Sequence, residues 1–156
     1  METLQLSKSD ILSLYQCSNS DGKAILEGRF GKQTFIIDVR DRIGNLDEAY
    51  SAVGLSPFDP RFINGTDDDI AYQQLKLAIV PGLNEGWVAN YNDRDEEKWW
   101  PVFCLDEGGG GFRFVAARYD DVHTIVTGGP RLAFRTRELA IHAAERFPDV
   151  FRRFYC

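Results

Sequence analysis

The amino-acid sequence predicts an α+β protein: an antiparallel sheet of three to four strands, a C-terminal helix across one face, and additional N-terminal helices. Three observations carry this. Helix signals fill the first half of the chain, strand signals gather between residues 98 and 135, and a helical stripe closes it. That order segregates the elements instead of alternating strand with helix. The composition, 44% apolar and 13% aromatic over 156 residues, is ample for a packed core. The last helix carries Leu139, Ala143, Phe147, Val150 and Phe154 at the spacing of a core-facing stripe. One domain over residues 1–156 follows, with residues 1–31 as a helical appendage.

In chain order, KSDILSLYQ (8–16) predicts a short helix capped by Ser7 or Ser9. Ser20 is the expected cap of a second helix, which Gly31 stops. Two short helices and a tight turn invite a helix-turn-helix reading, but the second offers only Lys23 and Arg29 as basic groups. TFIIDV (34–39) reads as a strand or extended linker. Asn45 and Glu48 have the spacing of a capping box. The loop LSPFDPRFINGT should be pinned to the body by Phe58 and Phe62.

Thr66 opens the next helix, and Asp67, Asp68 and Asp69 are explained by the favourable placement of acids in a first turn, without a metal. Ala71, Leu75, Ala78, Ile79 and Leu83 share one face, which predicts the main buried helix. Pro81 lacks a backbone donor, so the helix should end or kink near Ile79.

Strands are predicted at 98–105, where Pro101 implies an edge or bulge, at 112–117, and at 131–135, with a short one at 123–127. The glycine run after Glu107 opens onto a strand and not onto a helix N-terminus, so it reads as a hairpin loop and not a phosphate cradle. Thr136 caps the last helix, Pro148 should kink it after Phe147, and the aromatics from Phe147 onward should bury on the sheet or on a second subunit.

Charge and cysteines limit the functional classes. Net charge is −6, but residues 1–107 hold ten Lys/Arg against nineteen Asp/Glu, whereas residues 108–156 hold eight arginines against five acids. Three cysteines without a spacing pattern do not make a disulfide framework or a zinc site. No apolar run reaches the ~20 residues needed to span a membrane, and METLQLSKSD lacks the features of a secretory signal. A soluble cytoplasmic protein is expected. The loop at 90–97 alternates acids, but Lys98 and Cys104 stand where a calcium loop needs glycine and a bidentate acid.

Strand alternation yields one candidate surface. It sets Phe112, Phe114 and Ala116 on one face and Arg113, Val115 and Ala117 on the other, with Arg131 and Arg135 outward on the last strand. Trp99 and Trp100 must face opposite ways, leaving one exposed or half-exposed. Candidate binding residues are therefore Trp99, Trp100, Arg113, Arg131 and Arg135, since guanidinium groups fork onto carboxylates or phosphates and stack on rings. The competing account pairs these arginines with the acids of the 92–97 loop. No catalytic or metal set accompanies the surface and no cofactor is implied; His142 reads as structural, and His123, beside Asp120 and Asp121, is the one place for a general base.

The segments LEGRFG (26–31), VRDRIGNLDEAYSAVG (39–54), IAYQQLKLAI and LNEGW (70–87), KWWPVF (98–103) and GGPRLAFRTRELAIHAAERFPDVF (128–151) together resemble a family of uncharacterised small proteins associated with phages and prophages of gut bacteria. That family usually carries Tyr-Tyr where Trp99 and Trp100 stand, and lacks Pro81. The resemblance implies a compact, phage-borne α+β accessory protein and transfers no site residues. The expected function is non-catalytic binding of a host protein or of an anionic small molecule such as a nucleotide. The alternatives are nucleic-acid binding through the same arginines with Arg152 and Arg153, and an assembly role as a homo-oligomer joined by the C-terminal helix.

Overall fold

The computed structural model describes residues 6–35, 38–106, 111–120 and 132–156. The chain divides into two compact units, Met1–Arg42 and Ile43–Cys156.

The first unit is helical. Helix α1 spans Lys8–Cys17 and begins with a full capping box: Ser7 Oγ accepts from the Asp10 amide at 3.2 Å while Asp10 accepts from the Ser7 amide at 3.0 Å. The Ser7 hydroxyl, which donates to the Asp10 carboxylate at 2.6 Å, and then the Ser7 amide hold that carboxyl below its ordinary range. Helix α2, Ser20–Phe30, is capped by Asn19, whose Oδ1 accepts from the Gly22 amide at 2.9 Å. The expected cap, Ser20, is instead the first helical residue; asparagine is at least as good a cap and lies one position earlier. Gly31 ends the helix at φ 81°, where a side chain would be strained. No strand forms in the described part of 34–39. Thr34 turns back instead, donating its amide to Gly31 and its hydroxyl to Phe30, and Lys32–Phe35 forms a 3-10 turn. Phe35 is buried and stacks on Tyr15 at 4.1 Å. The short helix α3, Val39–Arg42, completes the unit.

The second unit begins with α4, Leu46–Ala52. Asn45 accepts from the Glu48 amide, and Glu48 reaches one residue further back than expected, accepting from Gly44 at 2.7 Å. In the loop that follows, Phe62 is buried against Tyr50 at 4.6 Å, but Phe58 is 81% exposed and pins nothing. Prolines on both sides of Asp59 tie the chain into a 3-10 turn, Pro60–Phe62, that directs only one of the two rings inward.

The main buried helix forms as its stripe requires: Ala71, Leu75, Ala78, Ile79 and Leu83 are all fully buried. It starts as α5, Asp67–Gln74, where the Thr66 hydroxyl donates to Asp68 and Asp69. The disruption expected from Pro81 takes the form of a π-helical stretch, Leu75–Ile79, in which the Val80 amide donates to Leu75, five residues back. The wider turn accommodates the proline ring, and the chain resumes as α6, Val80–Asn84. Gly82 lets α6 pack closely on Ile43, just ahead of α4, since a Cβ there would lie 3.3 Å from Ile43 Cδ1.

Strands β1, Lys98–Asp106, and β2, Gly111–Asp120, pair antiparallel. Among the described residues this two-stranded sheet replaces the three or four strands expected. In the described part of the predicted strand at 131–135, residues 132–135, one bridge forms, in which Trp99 and Phe134 exchange hydrogen bonds of 3.0 and 2.7 Å. The strand at 123–127 lies outside the described residues, as does the loop 107–110. The opposite edge of this segment, away from β1, is taken by Asn84, 2% exposed. Its Nδ2 donates to the Ala133 carbonyl at 2.8 Å and its Oδ1 accepts from the Arg135 amide at 3.0 Å. Those are the groups a further strand would have paired, so one side-chain amide stands in for a neighbouring backbone.

Helix α7, Arg137–Arg146, is capped by Thr136 and lies against both strands. The expected kink is a full break at Phe147 (φ −123°, ψ 40°), after which Pro148 starts α8, Pro148–Tyr155. Phe147, Val150 and Phe151 are buried within the chain. Phe151 meets Phe103 of the sheet at 5.0 Å, and Phe154 stacks on Tyr72 of α5 at 5.8 Å. A buried polar relay joins three helices: Arg153 donates to Gln74 at 2.9 Å, and Gln74 donates to the Tyr50 hydroxyl at 3.0 Å. Burial raises the Tyr50 pKa. His142 bonds through Nε2 to the Ile43 carbonyl at 2.6 Å, which places the proton on that nitrogen, because a carbonyl only accepts. Among the described residues no helix is long and apolar enough to cross a membrane.

Candidate functional site

The hairpin register decides which side chains share a surface. From Lys98↔Asp120 to Val102↔Ala116 the pairing is regular, then it shifts so that Phe103 faces Phe114. Val115 is the extra residue, a β-bulge on β2. Side chains alternate along each strand, so one inserted residue exchanges the faces beyond it. The inner face combines Trp99, Pro101 and Phe103 with Tyr119, Ala117, Phe114 and Phe112. Phe103 packs on Phe112 at 4.5 Å and on Phe114 at 5.9 Å, and Ala117 is only 8% exposed.

Unbroken alternation would put Ala116 inside with the phenylalanines and Ala117 outside with Arg113. The bulge reverses that pair. It also brings Arg118 to the outer face, opposite Trp100, in line with Ala116, Val102, Cys104 and Arg113. Arg118 was not among the residues the alternation selects, and nothing in the sequence marks Val115 as a bulge. Pro101 occupies an edge position, as expected: Trp99 turns its amide and carbonyl towards Phe134, so Pro101 turns its nitrogen the same way and β2 loses no bond.

The two tryptophans have different duties. Trp99 is structural, its indole donating to Glu97 at 3.1 Å while its ring lies 4.9 Å from Tyr119. Trp100 is half-buried on the outer face, at one end of a groove of about 360 Å³ that runs along β1 to Leu105 and Tyr155. Arg113 and Arg118 are exposed. They pair with Cys104 and Trp100, four residues apart on β1, which separates them by about 13 Å along the strand.

Arg135 is also exposed but lies just past the Trp99–Phe134 bridge, at the opposite end of the hairpin from Arg113. The structure therefore brings together Trp100, Arg113 and Arg118, and sets Arg135 apart from Arg113. Arg131 and His123 lie outside the described residues.

The acidic loop before β1 is organised around Lys98. This ammonium is buried, donates to the Asp93 and Glu96 carbonyls at 2.9 Å each, and stands 3.4 Å from the Glu96 carboxylate. It also lies 5.5 Å from the centre of the Tyr91 ring, whose hydroxyl pKa burial pushes up to about 12. The loop thus spends Glu96 on Lys98 and Glu97 on Trp99. Among the described residues no group of three or more His, Cys, Asp or Glu side chains could hold a metal ion.

In comparisons with known proteins, no family model, curated protein or solved structure matches this chain.

Proposed function

We propose that this is a non-catalytic binding protein whose outer hairpin surface captures an acidic protein partner. One observation carries the reading: the bulge at Val115 sets Arg118 on the same face as Arg113, with half-buried Trp100 across from Arg118 and Val102 and Ala116 between the two arginines. Two forked cations about 13 Å apart along the strand fit acidic groups spread over a protein surface better than a single phosphate. Half-buried Trp100, directly across from Arg118, supplies apolar area of the kind that anchors interfaces. The phage-family resemblance supports an accessory protein acting on a host protein in this way.

The test is capture from host lysate by immobilised wild-type protein and by an Arg113→Glu/Arg118→Glu variant verified as folded by circular dichroism. Charge reversal should abolish capture of the partner. Unchanged capture by the folded variant overturns the reading, and so does capture that nuclease treatment removes, which assigns the face to nucleic acid instead.

A further inference from the structure

Away from the hairpin surface, the helix containing the π-helical stretch borders a cavity of about 430 Å³. Its walls are mostly apolar, with Leu77, Val80, Pro81 and Trp87 among them and Tyr91 and Lys76 beside these. That volume falls in the range of small-molecule sites, which are apolar concavities with few polar groups. Helix geometry shapes this wall. Leu75–Ile79 is π-helical, and Pro81 has no N–H to return to the preceding turn. Single π-turns inside helices recur at functional sites.

The polar inventory selects the ligand. Asn84 lines the cavity, but both ends of its amide are committed to Ala133 and Arg135. Among the described residues no acid lines it, and Lys76 is its one cation. The Lys76 ammonium stands 5.4 Å from the centre of the Tyr72 ring. A ring face leaves that charge unneutralised, and the flexible four-carbon stem lets it turn to an anion. One ammonium balances one negative charge; a nucleotide's phosphates would bring more charge than the cavity can match. Trp87, Tyr91 and Pro81 present flat apolar surfaces, which favour a planar ring. Val88, 82% exposed at the rim, extends the apolar lip into solvent.

We infer that this cavity binds a small planar aromatic carboxylate, with its ring against Trp87, Pro81 and Val80 and its carboxylate on Lys76. This site is separate from the hairpin surface and stands without it.

The experiment is a titration of the full-length ¹⁵N-labelled protein with 2-naphthoate, and separately with the neutral 2-naphthalenemethanol, followed by amide chemical shifts. Naphthoate should give saturable shifts concentrated in residues 76–91. Lys76→Met should weaken naphthoate about tenfold while leaving the alcohol unaffected, the loss of one charge-assisted contact. Ala89→Phe, which places a ring in the cavity, should abolish both sets of shifts. Absence of saturable shifts in 76–91 with the folded wild-type protein overturns the site. Equal binding of acid and alcohol, unchanged in Lys76→Met, overturns the assignment to a carboxylate.

Discussion

Replacing Asn84 tests whether one side-chain amide holds the bridging segment against α6. Asn84→Ala removes two buried hydrogen bonds, each contributing about 1 kcal/mol net. It also leaves the carbonyl of Ala133, a residue 5% exposed, without its donor, adding about 1–2 kcal/mol. The expected loss is about 3 kcal/mol, a large part of the ~5–15 kcal/mol that stabilises an ordinary domain. With a urea m-value of about 2 kcal/mol/M, the midpoint should fall by about 1.5 M, read by tryptophan fluorescence and circular dichroism together.

Asn84→Asp sharpens the test. Its carboxylate still accepts from the Arg135 amide but turns an acceptor towards the Ala133 carbonyl. Burial and that carbonyl both disfavour the charged form, so the folded-state pKa lies above the ordinary value of about 3.9. The protonated acid donates as the amide did. Stability is therefore retained below pH ~4 and lost as pH rises through the raised folded pKa. The gap between Asn84→Asp and wild type should be wide at pH 7 and narrow at pH 4. A loss under ~0.5 kcal/mol in Asn84→Ala, or a gap in Asn84→Asp independent of pH, would refute the clamp.

Two further outcomes follow from the packing. Phe62→Ala should cost about 3–5 kcal/mol by opening a cavity beside Tyr50, whereas Phe58→Ser should stay within ~0.5 kcal/mol; paired urea melts read both. Tyr91 keeps its proton in the folded protein to about pH 12. Since folding then raises its pKa, its contribution to stability is lost as pH rises from about 10 towards that value. The difference in absorbance at about 295 nm between wild type and Tyr91→Phe should show a single ionisation near the top of that window; a midpoint near 10 would contradict the burial.

Features that act over a few residues were legible in the sequence. Asn45 with Glu48, Ser7 as cap, Thr136 as cap, the break at Phe147 and the buried stripe of α5–α6 all follow from spacing and turn chemistry. What escaped depends on partners far along the chain. Leu132 and Phe134 alternate like a strand, yet Asn84, some fifty positions earlier, takes the hydrogen bonds a neighbouring strand would need. Lys98 reads as one more charge beside an acidic run, and only the folded loop shows it buried under backbone carbonyls. Of the candidate site, Trp100 and Arg113 were visible and Arg118 was not. Val115 has the β-branched character of any regular strand residue, so its place as the unpaired one is settled by Phe103 and Phe114 meeting under α8.

That unpaired residue makes the hairpin two segments written in opposite phase. Between Gly111 and Phe114 the even-numbered positions of β2 share the face of Phe103; from Ala116 to Tyr119 the odd-numbered ones do. A substitution tolerated at one parity near the hairpin tip is damaging at the same parity near the base. Losing one residue at position 115 would preserve every pairing, whereas adding one elsewhere in β2 would turn half the strand inside out. The length of this strand is accordingly constrained everywhere except at a single point, and the arginine surface keeps its composition only while that point stays where it is.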